Sequence, residues 1–478
     1  MKVERRCVPE KRAGLARRAD CVAVALGLAT LMPAAHAENT ADLKDQIEAL
    51  QRRVALIEAL QSQTPQGPND QADPNQTNPQ RAQSSQADPK QAQAPQAADA
   101  VTAGSLPGSF KLPGSDTSVK IGGYIKLDAI WNSRSAGLDS INNQLLSGGG
   151  IPVGPGANTN DTNHLTVHAR ETRFSVATST PTELGDLNTL IETDFFGTLT
   201  NTNETDTNSD GLRLRHAWGT LGHFGAGQYW TNFLFVPAFA ETLDFGGPVG
   251  TIFARQAQVR WTDRWGSSTW AVSLENPESI VAIPGTASTV TADADRVPDI
   301  VASDMFQTSV GKFYFGALLR DIRVDSASAP AATQNRWGSG LSLAGVLPVG
   351  PLDDFRFNVY GGDDIGRYQP LGFFPDAVVD TSGGIGLINV VGGYGAFRHF
   401  WKPGLRTNLV LSASSGQLPA GTFGGINKSD ASSHINLIWS PVKNADVGVE
   451  FIHARREVES GQTGSLNRIQ FSSKFSFS

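Results

Sequence analysis

Cysteine is nearly missing from this chain. The 478 residues contain two, Cys7 and Cys21, both close to the N-terminus. Beyond them a disulfide framework, a thiolate metal site and a cysteine nucleophile are excluded. Charge is sparse, at 18% of residues, where soluble domains average about 25%. The formal charge of -7 argues against nucleic acid as a partner. Long apolar runs are also lacking: past the N-terminal stretch none reaches 18 residues. A membrane home would therefore require a closed barrel of strands, because lipid tolerates no unpaired backbone groups.

The N-terminus has the layout of a targeting segment. Lys11, Arg12, Arg17 and Arg18 form a basic region, and Cys21 to Met32 is short and apolar. Ala35-His36-Ala37 fits a small-residue cleavage site, so residues 1–37 are expected to be a signal peptide and Glu38 the first mature residue. The other reading is a membrane anchor. It is disfavoured because Pro33 interrupts a run shorter than the roughly 20 residues a span needs. Ala19-Asp20 before Cys21 speaks against lipid modification there. Seven basic and three acidic residues would leave with the segment, taking the charge from -7 to -11.

Residues 38–61 are expected to form a coiled coil. Leu43, Ile47, Leu50, Val54 and Ile57 recur at intervals of 4, 3, 4 and 3, the spacing that winds helices into a left-handed superhelix. A lone amphipathic helix packed on another surface is the alternative. Residues 62–108 are rich in Gln, Pro, Asn and Ala, as at Asn75, Gln76, Pro79, Gln80, Gln91, Gln93 and Gln96. With few large apolar residues to offset ordering entropy, this stretch reads as a disordered linker.

From residue 109 to 478 the texture is that of an all-β transmembrane barrel. Val119, Ile121, Gly123, Ile125, Leu127, Ala129 and Trp131 share one face, opposite Lys120, Tyr124, Lys126, Asp128 and Asn132. Ile469, Phe471, Ser473, Phe475 and Phe477 alternate likewise with Arg468, Gln470, Ser472, Lys474 and Ser476. A soluble sandwich would alternate in the same way. The barrel is favoured by strands of about ten residues with aromatic ends and by connections that are short and long in turn. Seven short turns, among them Gly222-His223 and Gly311-Lys312, and eight long loops predict sixteen antiparallel strands. His164 to Thr180 changes phase near Glu171, which suggests a bulge. Trp218, Trp261, Trp401 and Trp439 precede short turns, while Trp131 and Trp337 adjoin long loops. Such placement predicts interfacial girdles.

Several stretches carry a family likeness: Ser109 to Trp131 (SFKLPGSDTSVKIGGYIKLDAIW), ARETRF at 169–174, LRLRHAW at 212–218, AGQYW at 226–230, RQAQVRWT at 255–262 and YGAFRHFW at 394–401. With them the chain resembles the DcaP-like family of trimeric outer-membrane porins. The resemblance implies a sixteen-stranded barrel in the Gram-negative outer membrane, a homotrimer, a periplasmic coil, and passage of small organic anions such as dicarboxylates. The chain departs from the pattern in its long linker and in ending Phe477-Ser478 rather than on the aromatic.

A barrel this wide needs a constriction to discriminate solutes. The loop from Thr231 to Thr251 contains Phe233, Phe235, Phe239 and Phe245, apolar enough to pack inward. It is expected to form the eyelet, lined by Phe239, Glu241 and Asp244; packing against a neighbouring subunit is the other possibility. On the walls, Arg213, Arg215, Arg320 and Arg260 are expected to face the lumen, as are Arg356 and Arg398, with Glu192 and Asp194. Lumenal Arg favours anions. A hairpin symmetric about Asn203-Glu204 would instead set Arg213 against Asp194 and Arg215 against Glu192, bracing the wall and cancelling field. Arg320 has no acid assigned to it. His164 and His168 do not converge on a metal from one strand, and Gly148-Gly149-Gly150 lacks the helix a phosphate cradle needs. No metal, cofactor or catalytic residue is expected. A diffusion porin is the favoured function. A tether between membrane and cell wall and an outer-membrane barrel hydrolase are the alternatives; no Ser–His motif supports the last.

Overall fold

The computed structural model describes residues 102–134, 148–154, 162–197, 210–292, 294–324 and 334–477. The expected leader, coil and most of the linker lie outside the described residues. The linker's last residues already belong to the folded part: Ser105 donates its backbone N–H to Ser118 Oγ at 2.8 Å.

Among the described residues, sixteen antiparallel strands close a barrel, as expected. They begin with β1 Ser118–Arg134, β2 Thr162–His168 resuming as Arg173–Thr182, β3 Gly185–Gly197 and β4 Gly211–Leu221. Next come β5 Phe224–Trp230, β6 Arg255–Trp265, β7 Ser268–Glu275 and β8 Asp299–Thr308. The second half holds β9 Gly311–Val324, β10 Gln334–Val349, β11 Asp353–Asp363 and β12 Asn389–Lys402. It ends with β13 Leu405–Gln417, β14 Asn427–Val442, β15 Ala445–Val458 and β16 Thr463–Phe477. Each strand pairs with the next, and β16 returns to β1, from Gly123↔Phe477 to Asn132↔Arg468. Closure removes the free edges of an open sheet, so wall backbone groups pair from strand to strand.

The period-two pattern does the sorting. Ile125, Leu127, Ile191, Leu341, Leu411, Phe451 and Phe471 point outward and are exposed. Lys126, Asp128, Asn132, Asn436, Glu450 and Gln470 alternate with such residues and are buried inside. Apolar rows facing lipid and polar rows facing the lumen are what a spanning wall needs.

Three local departures matter. First, β2 breaks at residues 169–172: between Tyr124↔Arg173 and Asp128↔His168, four residues of β2 oppose three of β1. This one-residue excess is the bulge expected near Glu171, and it reverses which side each residue faces. Second, the turn before β9 is Ser309-Val310, since Thr308 pairs with Gly311; Gly311 and Lys312 are already strand. Third, Trp218 does not join the outer girdle. A register shift pairs Glu192 with His216 and Thr193 with Leu214. It turns Trp218 inward, where it stacks on Tyr229 at 5.4 Å. Trp261, Trp337, Trp401 and Trp439 are exposed on the outside.

Two long connections form a small sheet of their own. Ser279–Ala282 pairs with Thr289–Ala292 and, in parallel, with Ala377–Val379, as at Val281↔Ala377. Ile385–Leu387 completes it. Val281, Ala292, Ala377, Val379 and Ile385 bury their side chains against Ile322 and Val324 of β9. The result is a cap fixed on one side of the long-loop end.

Candidate functional site

The connection between β5 and β6, residues 231–254, does not extend into solvent. Its apolar residues explain why. Phe233, Leu234, Phe235, Leu243, Val249 and Ile252 are buried, and each contributes about 1.5–3 kcal/mol by leaving water. Phe233, Leu234 and Ile252 join Trp230, Leu318, Tyr360 and Tyr368 in one cluster inside the barrel. Phe235 stacks on Tyr314 of β9 at 5.1 Å.

Polar contacts then hold the loop around the far wall. Tyr314 donates to Asn232 O and Tyr394 to Ala238 O at 2.9 Å. Arg356 donates to Phe239 O at 2.9 Å. Asn436 reaches Glu241 O at 2.8 Å, and Lys126 reaches Leu243 O at 2.8 Å. The return leg comes so close to β12 and β13 that only glycine fits. A Cβ on Gly250 would lie 2.5 Å from Ala413 O and 2.6 Å from Gly393 O. Gly250 N–H instead donates to Ser412 Oγ at 2.8 Å.

Of the loop's two acids, Asp244 lines the cavity described below and Glu241 a smaller one, and each carboxylate is held by an arginine of the far wall. Arg406 of β13 binds Glu241 through Nη2 at 2.6 Å and Nε at 2.9 Å, and Arg398 adds a contact at 3.4 Å. Asp244 is buried, its carboxylate on Arg468 of β16. An anion desolvated inside the barrel is stable only against a cation, and the far wall supplies one for each.

A cavity of about 390 Å³ lies between the loop and strands β2 to β5. The loop side presents Val236, Phe239, Phe245, Pro248 and Phe253; the wall side presents Glu171, Arg173, Glu192, Arg215, His216, Tyr229 and Trp230. Arg213 and Asp194 stand beside it. Arg213 grips Asp194 with two bonds, at 2.9 and 2.7 Å. Arg215 binds Glu192 at 2.7 Å and Asp194 at 2.9 Å. The bracing pairs drawn from hairpin symmetry are therefore present. The register differs by one residue, because Glu192 lies opposite His216 while Arg215 occupies the bulge. Nearby, Lys126 serves both Glu171 and Asp128, the latter at 3.3 Å.

Strand alternation did not select two further arginines: Arg173 lines the cavity, and Arg255 packs on two of its aromatic residues. Arg173 begins the second half of β2 and lies 3.6 Å from Glu192. Arg255 begins β6, its guanidinium 4.8 Å from the Trp230 ring and 5.5 Å from Phe253. Arg173 Nε and Arg255 Nη1 are buried and have no hydrogen-bond acceptor among the described residues. Alternation missed Arg173 because it follows the bulge. It missed Arg255 because Gln256 is buried and Ala257 exposed, which assigns Arg255 outward; the chain is leaving the wall there, and the side chain turns in onto Trp230. Both residues fall within motifs quoted above, ARETRF and RQAQVRWT.

Arg320 and Arg260 do not line the cavity. Arg320 is 1% exposed and meets Asp299 at 3.0 Å, Asp364 at 2.9 Å and Asp376 at 3.1 Å. It also donates to Glu278 O at 2.6 Å. The expectation that it lacks an acid is thus corrected: one long connection, residues 364–388, folds back over β9 and brings Asp364 and Asp376 to it. It is a fastener of the cap. Arg260 donates to Trp230 O at 2.7 Å and Gln258 Oε1 at 2.6 Å, closing the wall beneath the loop.

The chain is similar to known proteins. The family model for DcaP outer membrane protein matches residues 110–477. The outer membrane channel DcaP of Acinetobacter baumannii is similar in structure, with a TM-score of 0.64 and 22% identity, covering 77% of this chain and 100% of that one. An anion-selective porin from Comamonas acidovorans gives a TM-score of 0.48 at 10% identity, covering 76% of this chain and 100% of its own. OmpF of Salmonella typhi gives 0.48 at 8% identity, covering 76% and 98%. No curated protein sequence matches the chain.

Proposed function

The chain belongs to the DcaP outer membrane protein family, and from that premise we propose an outer-membrane porin, trimeric, that prefers small organic anions. The family resemblance adds dicarboxylates to the expected solutes. One observation carries the anion preference. Four arginines, Arg173, Arg213, Arg215 and Arg255, gather about two acids, Glu192 and Asp194, beside the cavity. That local excess of guanidinium over carboxylate favours a passing anion. Arg is suited to this, since its fork can hold both oxygens of a carboxylate. Glu171 and Asp128 against the single Lys126 oppose the effect, which makes the preference one of local placement rather than net charge.

The test is a reversal potential across planar bilayers in a potassium chloride gradient. The expected result is a chloride-selective channel opening in steps of three. Replacing Arg173 and Arg255 together with Ala should move the potential toward zero. A cation-selective channel of native sequence would overturn the reading.

A further inference from the structure

The eyelet joins two unlike walls. On one side stand Arg173 and Arg215; on the other stand Phe239, Phe245 and Phe253. The loop acids that could have opposed the arginines are bound to Arg406 and Arg468 across the barrel. The aromatic side is partly exposed, since Tyr229, Phe239, Phe245 and Phe253 are each only half-buried. Such a surface is of little use to a fully hydrated ion, which gains nothing from an apolar wall.

The rings also form one continuous corner. Trp230 meets Phe239 edge-on at 5.6 Å and Phe253 at 5.0 Å. Phe245 meets Phe253 edge-on at 5.9 Å. The arginines lie over the same rings: Arg213 is 5.6 Å from Phe245, and Arg215 is 5.6 Å from Phe245 and 5.9 Å from Trp230. Guanidinium and ring thus alternate around the opening.

We infer that the eyelet is a subsite for planar aromatic monocarboxylates, the carboxylate toward Arg173 and Arg215 and the ring against Phe239, Phe245 and Phe253. The inference rests on the anion reading above and narrows it. Size agrees. A cavity of about 150 Å³ holds one benzene ring, so about 390 Å³ holds a ring, its carboxylate and several waters. Geometry agrees as well, because rings prefer offset or edge contacts with other rings and Arg stacks on flat π faces. A flexible aliphatic acid of equal charge meets the same guanidiniums but forgoes the ring contacts and loses more conformational freedom on entering.

The experiment is solute-induced interruption of single-channel current, using the full chain in planar bilayers. Benzoate, cyclohexanecarboxylate and succinate are compared at equal concentration, after the reversal potential has been measured on the same channels. Benzoate should dwell about threefold to tenfold longer than cyclohexanecarboxylate, as one or two ring contacts allow. Phe245→Leu and Phe253→Leu keep apolar volume and remove the rings; they should bring the two dwell times together while leaving the reversal potential anion-selective. Equal dwell times of benzoate and cyclohexanecarboxylate in the native channel would overturn the subsite and leave the anion reading standing, while succinate, a dianion, reports charge alone. A cation-selective reversal potential would overturn both.

Discussion

Arg406 and Glu241, 165 positions apart in sequence, share a two-point ion pair at 2.6 and 2.9 Å. It joins the tip of the inward loop to β13. Cutting the bond should free the tip without opening the wall. Glu241→Gln is expected to lower stability by about 2 kcal/mol, less than a fully buried pair would cost because the carboxylate is partly exposed. It should also add flicker to the open-channel current. Heat-unfolding midpoints in detergent and current noise measure the two effects, and an unchanged noise spectrum would refute the loop's anchoring role.

Gly250 sets how tightly the loop's return leg lies on the wall. Its replacement by Ala would place a methyl group 2.5 Å from Ala413 O, so the leg must lift. Overpacking of this kind costs about 1–3 kcal/mol. The expected outcome is a folded barrel whose unit conductance differs from the native value. Unaltered conductance at equal yield would contradict the close packing described.

Arg320 faces three carboxylates in the cap. Arg320→Ala leaves them with no cation closer than Arg367, 3.7 Å from Asp299. Breaking a buried pair costs about 3–5 kcal/mol, here paid locally as release of the connections at 276–298 and 364–388. Limited proteolysis should cut them in the variant and spare them in the native protein. Ion selectivity should barely move, because the residue is 1% exposed. A large shift in reversal potential would return Arg320 to the pore lining.

The cap should respond to pH through Asp295. Burial pushes its carboxyl up to about 7; Arg320 opposes this, and Glu278 and Asp299 add to it. An unfolded Asp titrates near 3.9, so the folded cap holds the proton more tightly. Its stability is then greatest at low pH and falls as pH rises through about 7. Amide exchange in residues 279–292, corrected for intrinsic rate, should be slower at pH 5 than at pH 8. Asp295→Asn should erase the difference, and equal protection in the native protein would refute the linkage.

The barrel was legible because its signal is carried by every second residue. Leu405, Leu409 and Leu411 opposite Arg406, Asn408 and Ser412 needs only lipid outside and water inside. The Arg213–Asp194 pair was legible because its members lie on one hairpin. Arg320 was not: Asp299 is its neighbour on β8, but Asp364 and Asp376 arrive from a connection whose path no alternation encodes. Bulges defeated the rest. One extra residue before Arg173 and one at Arg215 each invert the faces that follow, and Trp218 was assigned outward for that reason.

The inward loop finds its partners on late strands: Tyr394, Arg406, Asn436, Glu450 and Arg468. Contacts between such distant parts of a chain form late in folding. The barrel must therefore be nearly complete before its own obstruction can settle. A molecule arrested just short of that point would be a wide leak in the cell envelope, so quality control of its assembly bears directly on how well the cell keeps large toxic compounds out.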